Sequence, residues 1–470
     1  MLRTHKIGEV NEKLVGKEVI LTGWADTIRV HGKVIFVDLR DKYSKIQCVV
    51  VASNKNNFEI AKNISLESCV KIKGLIKPRP KGSENKEIST GNVELEIKEI
   101  EVLNPCNPLP FELNKEGVGE EIRLKYRFLD LRKTELQKNL ILRHKIIKAI
   151  RDFYDKEGFV EIETPLLGKS TPEGARDYIV PSRNFPGSFY ALPQSPQLYK
   201  QLLMVSGMDK YFQIAKCLRD EDLRADRQPE FTQLDVEMSF VDQEDVFEMV
   251  EKTMKHIFKE VFDIDLKTPF QRISYEISMK KYKSDKPDLR KNKNDNSEFA
   301  FAWIVDFPLF EYSKEEKKYV AAHHPFCMPN DLKLFEKEPL KVKGKTYDLV
   351  LNGIELLSGS IRIHRPDIQR KVFNLLGLTE KEQEEKFGFF LNAFSYGAPP
   401  HGGFAVGLDR FIQILTKAPS IREVIAFPKN SEARDVMLDT PSPTAEKQLK
   451  EVHISVIQEK SKKEKKVKKK

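Results

Sequence analysis

The sequence predicts an α+β chain in two parts, a small N-terminal β-barrel followed by a larger α+β domain on an antiparallel sheet. Three observations carry this. Five short β-rich runs lie inside the first hundred residues, a proline-dense break follows them, and strand and helix patterns then mix without the βαβα alternation of a doubly wound sheet. A length of 470 residues sets a prior of about two to three domains. Apolar residues at 40% and charged residues at 32% supply both core and solvated surface.

The barrel strands are predicted at Val19–Trp24, Val34–Leu39, Lys45–Val51, Cys69–Ile76 and Val93–Val102, separated by Gly, Asn, Ser and Pro. Val93, Leu95 and Ile97 alternate with charged residues, as a half-buried strand requires. Five such strands fit a small Greek-key barrel of the OB kind, among other barrels. Asn104–Pro110 is proline punctuation, so residues 105–121 read as a linker. Leu136, Leu140, Ile147, Ile150 and Tyr154 recur at steps of three, four or seven along one helix face, ending at Gly158. A strand is expected over Phe159–Glu163, running into Pro165. The larger domain is expected over 122–290 and 299–440. A polar low-complexity loop over 291–298 interrupts it, and a helix and lysine-rich tail occupy 441–470.

Several function classes fall away on composition. The longest apolar run, Phe299–Phe310, is broken by Asp306, so no spanning helix or membrane partner is expected. Met1–Lys6 lacks an apolar h-region, so no secretory signal is expected. Five scattered cysteines (48, 69, 106, 217 and 327) form no C-x-x-C pair and fit neither a disulfide framework nor a zinc ribbon. A reducing cytoplasm is the expected home. The net charge of +9 is concentrated at the end, where Glu459–Lys470 holds eight lysines and two glutamates. Such a tail is either a solvated end or an arm that attracts a polyanion with salt-sensitive affinity.

The chemistry-bearing blocks contain no Walker loop and no G-x-G-x-x-G after a strand, so arginines, aromatics and a metal would have to handle any nucleotide. Cys217–Phe231 is densely charged yet flanked by the apolar runs Tyr211–Ala215 and Phe231–Met238, which reads as a hairpin presenting charge over a cleft. Asn352–Arg362 and His401–Phe411 follow, the latter with glycines that admit close backbone approach and an arginine at a helix start.

Together these blocks resemble the signatures of class II aminoacyl-tRNA synthetases, and among them the bacterial-type aspartyl enzymes. The helix running to Thr164-Pro165 resembles motif 1, Arg219–Phe231 motif 2, and Gly407-Leu408-Asp409-Arg410 motif 3. Thr171–Asp177, Gln194–Lys200 and His323–Phe326 add three more blocks in the family's order. The resemblance covers residues 1 to about 458 and implies an anticodon-binding OB barrel ahead of a catalytic domain on an antiparallel sheet.

It further implies ATP-dependent activation of L-aspartate and transfer to tRNA(Asp), with Mg²⁺ as cofactor and a homodimer as the assembly. Attack of a carboxylate on the α-phosphate needs no general base, because carboxyl pKa values lie at about 4. Positioning and charge neutralisation remain as the site's tasks. By resemblance Arg219 clamps the α-phosphate and the substrate carboxylate, and Phe231 and Arg410 sandwich adenine. Asp220, Glu221, Gln228, Glu355, Gly407, Leu408 and Asp409 complete the ATP site, and Asp348 with Glu355 holds Mg²⁺. Arg362 and Lys200 take the side-chain carboxylate of aspartate, and Glu173, Gln197 and Asp235 surround its ammonium. His323 and His324 are expected on a mobile loop nearby.

On the barrel, Phe36 is expected to stack on an anticodon base and Gln47 to read the middle uridine. The alternation leaves open whether Val34, Phe36 and Asp38 face the core or solvent. Arg29-Val30-His31-Gly32 and Gly82 lean toward the variety that charges tRNA(Asn) as well, the other reading of His31 being a phosphate contact. Two departures from the family stand out. Residues 291–298 replace a sizeable insertion, and Leu218 stands where Phe is usual, a packing change of about 1 kcal/mol. The rival reading is a catalytically dead paralogue that binds tRNA or regulates; such a relic would be expected to lose Arg219, Phe231, Glu355 or Arg410, and all are present.

Overall fold

The computed structural model describes residues 1–457 apart from 114, 172–173, 224–225, 296 and 315–316; the lysine-rich tail lies outside the described residues. The chain divides into two compact units, one spanning Met1–Ile122 and the other starting at Arg123.

In the first unit five strands close a barrel in the order β1-β2-β3-β5-β4: β1 Glu18–His31, β2 Val34–Arg40, β3 Lys45–Val51, β4 Cys69–Pro78 and β5 Val93–Asn104. All five predicted strands are present. The first runs seven residues beyond its predicted end because it serves two partners, pairing Glu18–Trp24 with β4 and Trp24–His31 with β2. A bulge between Ala25 and Thr27 bends it from one to the other. Alternate residues Ile35, Val37 and Leu39 fill the interior, which turns Val34, Phe36 and Asp38 outward. A helix, Lys55–Asn63, joins β3 to β4; its polar sequence gave no periodic signal, and it buries Ala61 against the barrel.

The second unit is built on an eight-stranded sheet. Its spatial order is Gln271–Ser274, Phe301–Val305, Thr346–Leu351, Ile354–Ile361, His401–Gly407, Glu230–Ser239, Lys210–Leu218 and Val160–Glu161. The six central strands pair antiparallel; only the short edge strands 271–274 and 160–161 pair parallel. The strand expected over 159–163 is therefore real but reduced to two residues. The predicted helix spans Thr134–Lys156, buries Leu136, Ile150 and Tyr154, and stops where Gly158 takes a positive φ of 79°. It packs against the helix Gln243–Phe262, with Tyr154 Oη 3.0 Å from Thr253 Oγ1. The charged block 219–229 does join two antiparallel strands, with Glu230 paired to Leu218. Thr346–Leu351 and Ile354–Ile361 form a hairpin through Asn352 and Gly353, both at positive φ as a two-residue turn of this hand requires. Among the described residues no disulfide joins the cysteines, and no helix is long and apolar enough to cross a membrane.

Candidate active site and barrel face

Four ionic side chains are buried together where the strands 230–239, 354–361 and 401–407 lie side by side. Residues two apart on a strand share a face, so Asp235 and Glu237 project together. Lys200, from the helix Gln197–Val205, places Nζ 3.0 Å from Asp235 Oδ1 and 3.2 Å from Glu237 Oε2. Arg362 grips the same Glu237 as a fork, Nε to Oε1 at 3.0 Å and Nη2 to Oε2 at 3.2 Å. Glu237 has room because Gly403 faces it across the ladder; a Cβ on Gly403 would lie 2.2 Å from Glu237 Oε2. Burial raises the Glu237 carboxyl, but Arg362 and Lys200 outweigh it and hold the group below its ordinary range. Asp235 goes the other way: burial dominates over the pull of Lys200 and pushes it up to about 6.

The remaining nitrogen of Arg362, Nη1, lies 2.6 Å from His324 Nε2 and donates to Ser360 Oγ at 2.7 Å. Burial, with the Arg362 charge adding to it, drives the His324 pKa well down, so its ring is neutral and accepts that bond. His323 is lowered to about 4 by burial, and its ring meets Phe307 edge-on at 4.6 Å. Both histidines, expected on a mobile loop, are thus packed against the sheet. Gln197 is held by a relay in which its amide donates to Gln201 Oε1 at 2.7 Å and Gln201 meets His401 at 3.0 Å.

These groups open into a cleft of about 540 Å³ that also receives Arg219, Glu221, Phe231, Lys286, Glu355 and Arg410. Arg219 comes off the charged hairpin, with its guanidinium carbon 5.1 Å from the Phe231 ring centre and Nε donating to the Gln194 carbonyl at 3.3 Å. One face of Phe231 is therefore already covered by a cation. Arg410 lies in the first turn of the helix Leu408–Thr416, donates to the Glu355 carbonyl at 2.8 Å and reaches Asp226 at 3.4 Å. Asp409 braces three elements: it pairs with Arg143 of the long helix and accepts the Thr232 backbone N–H at 2.8 Å.

Glu355 and Asp348 stand on the two strands of the Asn352–Gly353 hairpin, where a bulge between Leu349 and Val350 shifts the register. Glu355 faces the cleft; Asp348 lies behind its wall, with Oδ1 buried and lacking a hydrogen-bond partner. Burial, then the nearby Glu355 charge, raises Asp348 well above the carboxylate range. Glu355 is raised by burial but lowered more by its bond to Lys286, Nζ to Oε2 at 2.8 Å. An orphaned buried oxygen beside a second carboxylate is a donor set that fits a hard divalent cation.

The expected ATP contacts are placed unequally. Leu408 is fully buried in the core, so its side chain cannot touch a ligand in the cleft. Gln228 lines the cleft, and its amide is also engaged with the backbone of Lys429, at 2.8 and 3.1 Å, which pins the hairpin's exit. Leu408 and Asp220 are not among the residues lining the cleft, and an Asp220 carboxylate oxygen lies 3.7 Å from Arg176 Nε. Gly407 and Asp409 do line the cleft. Glu173 lies outside the described residues. Glu237 and Lys286 were missed, although Glu237 sits two residues from Asp235 and opposite the Gly402-Gly403 pair.

The barrel's outer face is organised differently. Arg29 donates to both oxygens of Asp38 at 2.9 Å and to Gln47 Oε1 at 3.2 Å, and Gln47 donates onward to Glu94 at 2.9 Å. Phe36 lies among them, with Arg29 6.0 Å and the His31 ring 5.9 Å from its centre. Gly82 is in the β4–β5 loop at φ 89°, its N–H bonded to Glu84.

A closed OB-type barrel, followed by an antiparallel sheet whose motif-bearing strands converge on one ionic cleft, defines a class II synthetase architecture. A model of class II tRNA synthetases (D, K and N) matches residues 119–431, and one of an OB-fold nucleic acid binding domain matches 19–103. The chain belongs to this class II family. An aspartate–tRNA(Asp/Asn) ligase of Dictyoglomus turgidum is 45% identical over 591 aligned residues, covering 99% of this chain and all of the relative. One from Hydrogenobaculum is 42% identical over 593, covering 97% and 100%. Since the chain has 470 residues, more than 100 aligned positions in each have no counterpart here. Among solved structures, asparaginyl-tRNA synthetase from Pyrococcus horikoshii complexed with asparaginyl-adenylate superposes with a TM-score of 0.76 at 24% identity, covering 91% of this chain and 98% of that one. Aspartyl tRNA synthetase from Entamoeba histolytica gives 0.72 at 22%, covering 91% of each. At these identities the two structures support the fold.

Proposed function

We infer that this chain is an aspartate–tRNA ligase, which activates L-aspartate with ATP and transfers it to the 3′ end of tRNA(Asp) and tRNA(Asn). The observation that carries the reading is the buried Lys200–Asp235–Glu237–Arg362 set beneath an arginine-bearing cleft, in a chain 45% identical along its whole length to a relative named for that reaction.

Two fixed cations over two fixed anions suit an amino acid that carries a second carboxylate and an ammonium. Arg362 and Lys200 take the side-chain carboxylate, while Asp235 and Gln197 border the ammonium. His323 and a neutral His324 border this pocket, and Glu237 holds both cations in place. Arg219 then aligns the α-carboxylate with the α-phosphate of ATP. A carboxylate oxygen attacks phosphorus, the bond to the bridging oxygen breaks, and pyrophosphate leaves with its electron pair. Phe231, Arg410 and Glu221 hold the nucleotide. Asp348 and Glu355 would hold Mg²⁺, which when bound supplies positive charge to the phosphate oxygens. In the second step a hydroxyl of the terminal ribose attacks the acyl carbon and AMP departs.

On the barrel, Phe36 offers a stacking surface, while Arg29, Gln47 and His31 offer the polar edge that reads the anticodon. tRNA(Asp) and tRNA(Asn) differ there only by C or U at the third base, which present a donor or an acceptor at the same place. A homodimer in the cytoplasm completes the reading. Aspartate-dependent exchange of pyrophosphate into ATP tests it. Exchange with L-aspartate and none with L-asparagine or L-lysine is expected; exchange with neither aspartate nor any other amino acid would return the chain to the relic reading.

A further inference from the structure

Lys286 lines the cleft beside Glu355, and the reading above gives it no task. It sits on the segment Ser284–Arg290, whose shape is fixed from several sides. The Ser284 hydroxyl accepts the Lys286 backbone N–H at 3.0 Å, Ser278 bonds the Ser284 carbonyl at 2.7 Å, and Arg290 folds back onto Asp288 at 2.8 Å. This segment leans on the turn of the hairpin that carries Asp348 and Glu355, since a Cβ on Gly353 would lie 3.2 Å from Asp288 Cβ. The far end of the 291–298 stretch is tied to the same turn. Asn352 accepts the Ala300 N–H and donates to the Glu298 carbonyl, both at 2.9 Å. Lys286 and Glu355 are therefore held in register by a braced frame, and only the lysine stem, 40% exposed, is free to swing.

We propose that Lys286 is a placeholder cation that passes to the triphosphate of ATP. With no divalent cation present, its ammonium neutralises Glu355 at 2.8 Å and keeps that carboxylate from repelling a polyanionic nucleotide. Glu355 and the orphaned Asp348 oxygen would hold the divalent cation, and the Lys286 ammonium, released from Glu355, would then pair with phosphate oxygens of the nucleotide. A compact charge with three donors on a flexible stem suits this exchange, whereas the arginines of the site are fixed forks. The proposal rests on the ATP-activating reading of the cleft.

The test compares wild type, Lys286→Gln and Lys286→Arg by two measurements. The first is Mn²⁺ binding to the nucleotide-free protein, followed by electron paramagnetic resonance. Removing a competitor for Glu355 should tighten Mn²⁺ about three- to tenfold in Lys286→Gln, with Lys286→Arg close to wild type. The second is pyrophosphate exchange, where Lys286→Gln should raise the KM for ATP about tenfold and leave that for aspartate within twofold. Weaker or unchanged Mn²⁺ binding, or an unchanged KM for ATP, would overturn the proposal. Wild-type protein without aspartate-dependent exchange would instead sink the functional reading, and the Mn²⁺ titration would still report on Lys286 and Glu355.

Discussion

The barrel face and the synthetase cleft use the same residue types to opposite ends. On the barrel, Arg29 is paired with Asp38 and Gln47 but is 41% exposed, so its charge is screened and its contacts exchange readily for water. In the cleft, Lys200, Asp235, Glu237 and Arg362 are all 1% exposed or less. Exposed pairs of the first kind contribute about 0–1 kcal/mol each. Breaking a buried pair by removing one partner costs about 3–5 kcal/mol, because an uncompensated charge is left behind. A face that must accept a splayed, shape-variable strand is adaptable. A pocket that must distinguish a carboxylate from its amide is preorganised, and that preorganisation depends on residues that need not touch the substrate.

The contrast can be broken most severely at Glu237. Glu237→Gln leaves both Lys200 and Arg362 without their shared anion, so we expect a loss of about 3–5 kcal/mol in urea unfolding and no measurable exchange. A variant that keeps both stability and aspartate KM would show that Glu237 does not organise the pocket.

The next effect is on pH. Asp235 is raised to about 6, so below that pH it carries a proton and loses its attraction for an ammonium. The kcat/KM for aspartate should be flat above this value and fall about tenfold per unit beneath it, while the KM for ATP changes little. A profile flat down to pH 5 contradicts the assignment.

Gln47→Ala on the barrel should lower kcat/KM for tRNA about tenfold, within the 1–3 kcal/mol of one misread base, and leave pyrophosphate exchange untouched. An equal loss in both assays would tie Gln47 to folding instead of recognition. Smallest is the tail: deletion of residues 459–470, with a net charge of +6, should raise the tRNA KM and flatten its salt dependence. Unchanged tRNA kinetics at moderate salt would leave the tail a solvated end.

Much of this architecture was legible because its signals are local. The alternation of Val93, Leu95 and Ile97 is the local pattern of a half-buried strand, and the charged 219–229 block between two apolar runs reads as a hairpin. What escaped depends on partners distant in sequence. Glu237 reads as an ordinary strand acid until strand 401–407 lies beside it; the acid spaced two from Asp235 and the Gly402-Gly403 pair were the available clue. Leu408 and Asp220 were carried into the site with their motifs, yet a helix turn sends one to the core and a hairpin edge sends the other to Arg176. Phe36 could not be oriented until Ile35, Val37 and Leu39 were seen to fill the barrel. Lys286 is joined to Glu355 by a frame built from residues 284 to 353, which no spacing rule anticipates.

Aspartylation of purified tRNA(Asp) and tRNA(Asn), measured side by side with the full chain, tests the central claim most directly. Charging of both with comparable kcat/KM is predicted, from a cleft that activates aspartate and a barrel that accepts either third base. Charging of tRNA(Asp) alone would contradict the reading of His31, and charging of neither would contradict the assignment of this chain as an aspartate–tRNA ligase.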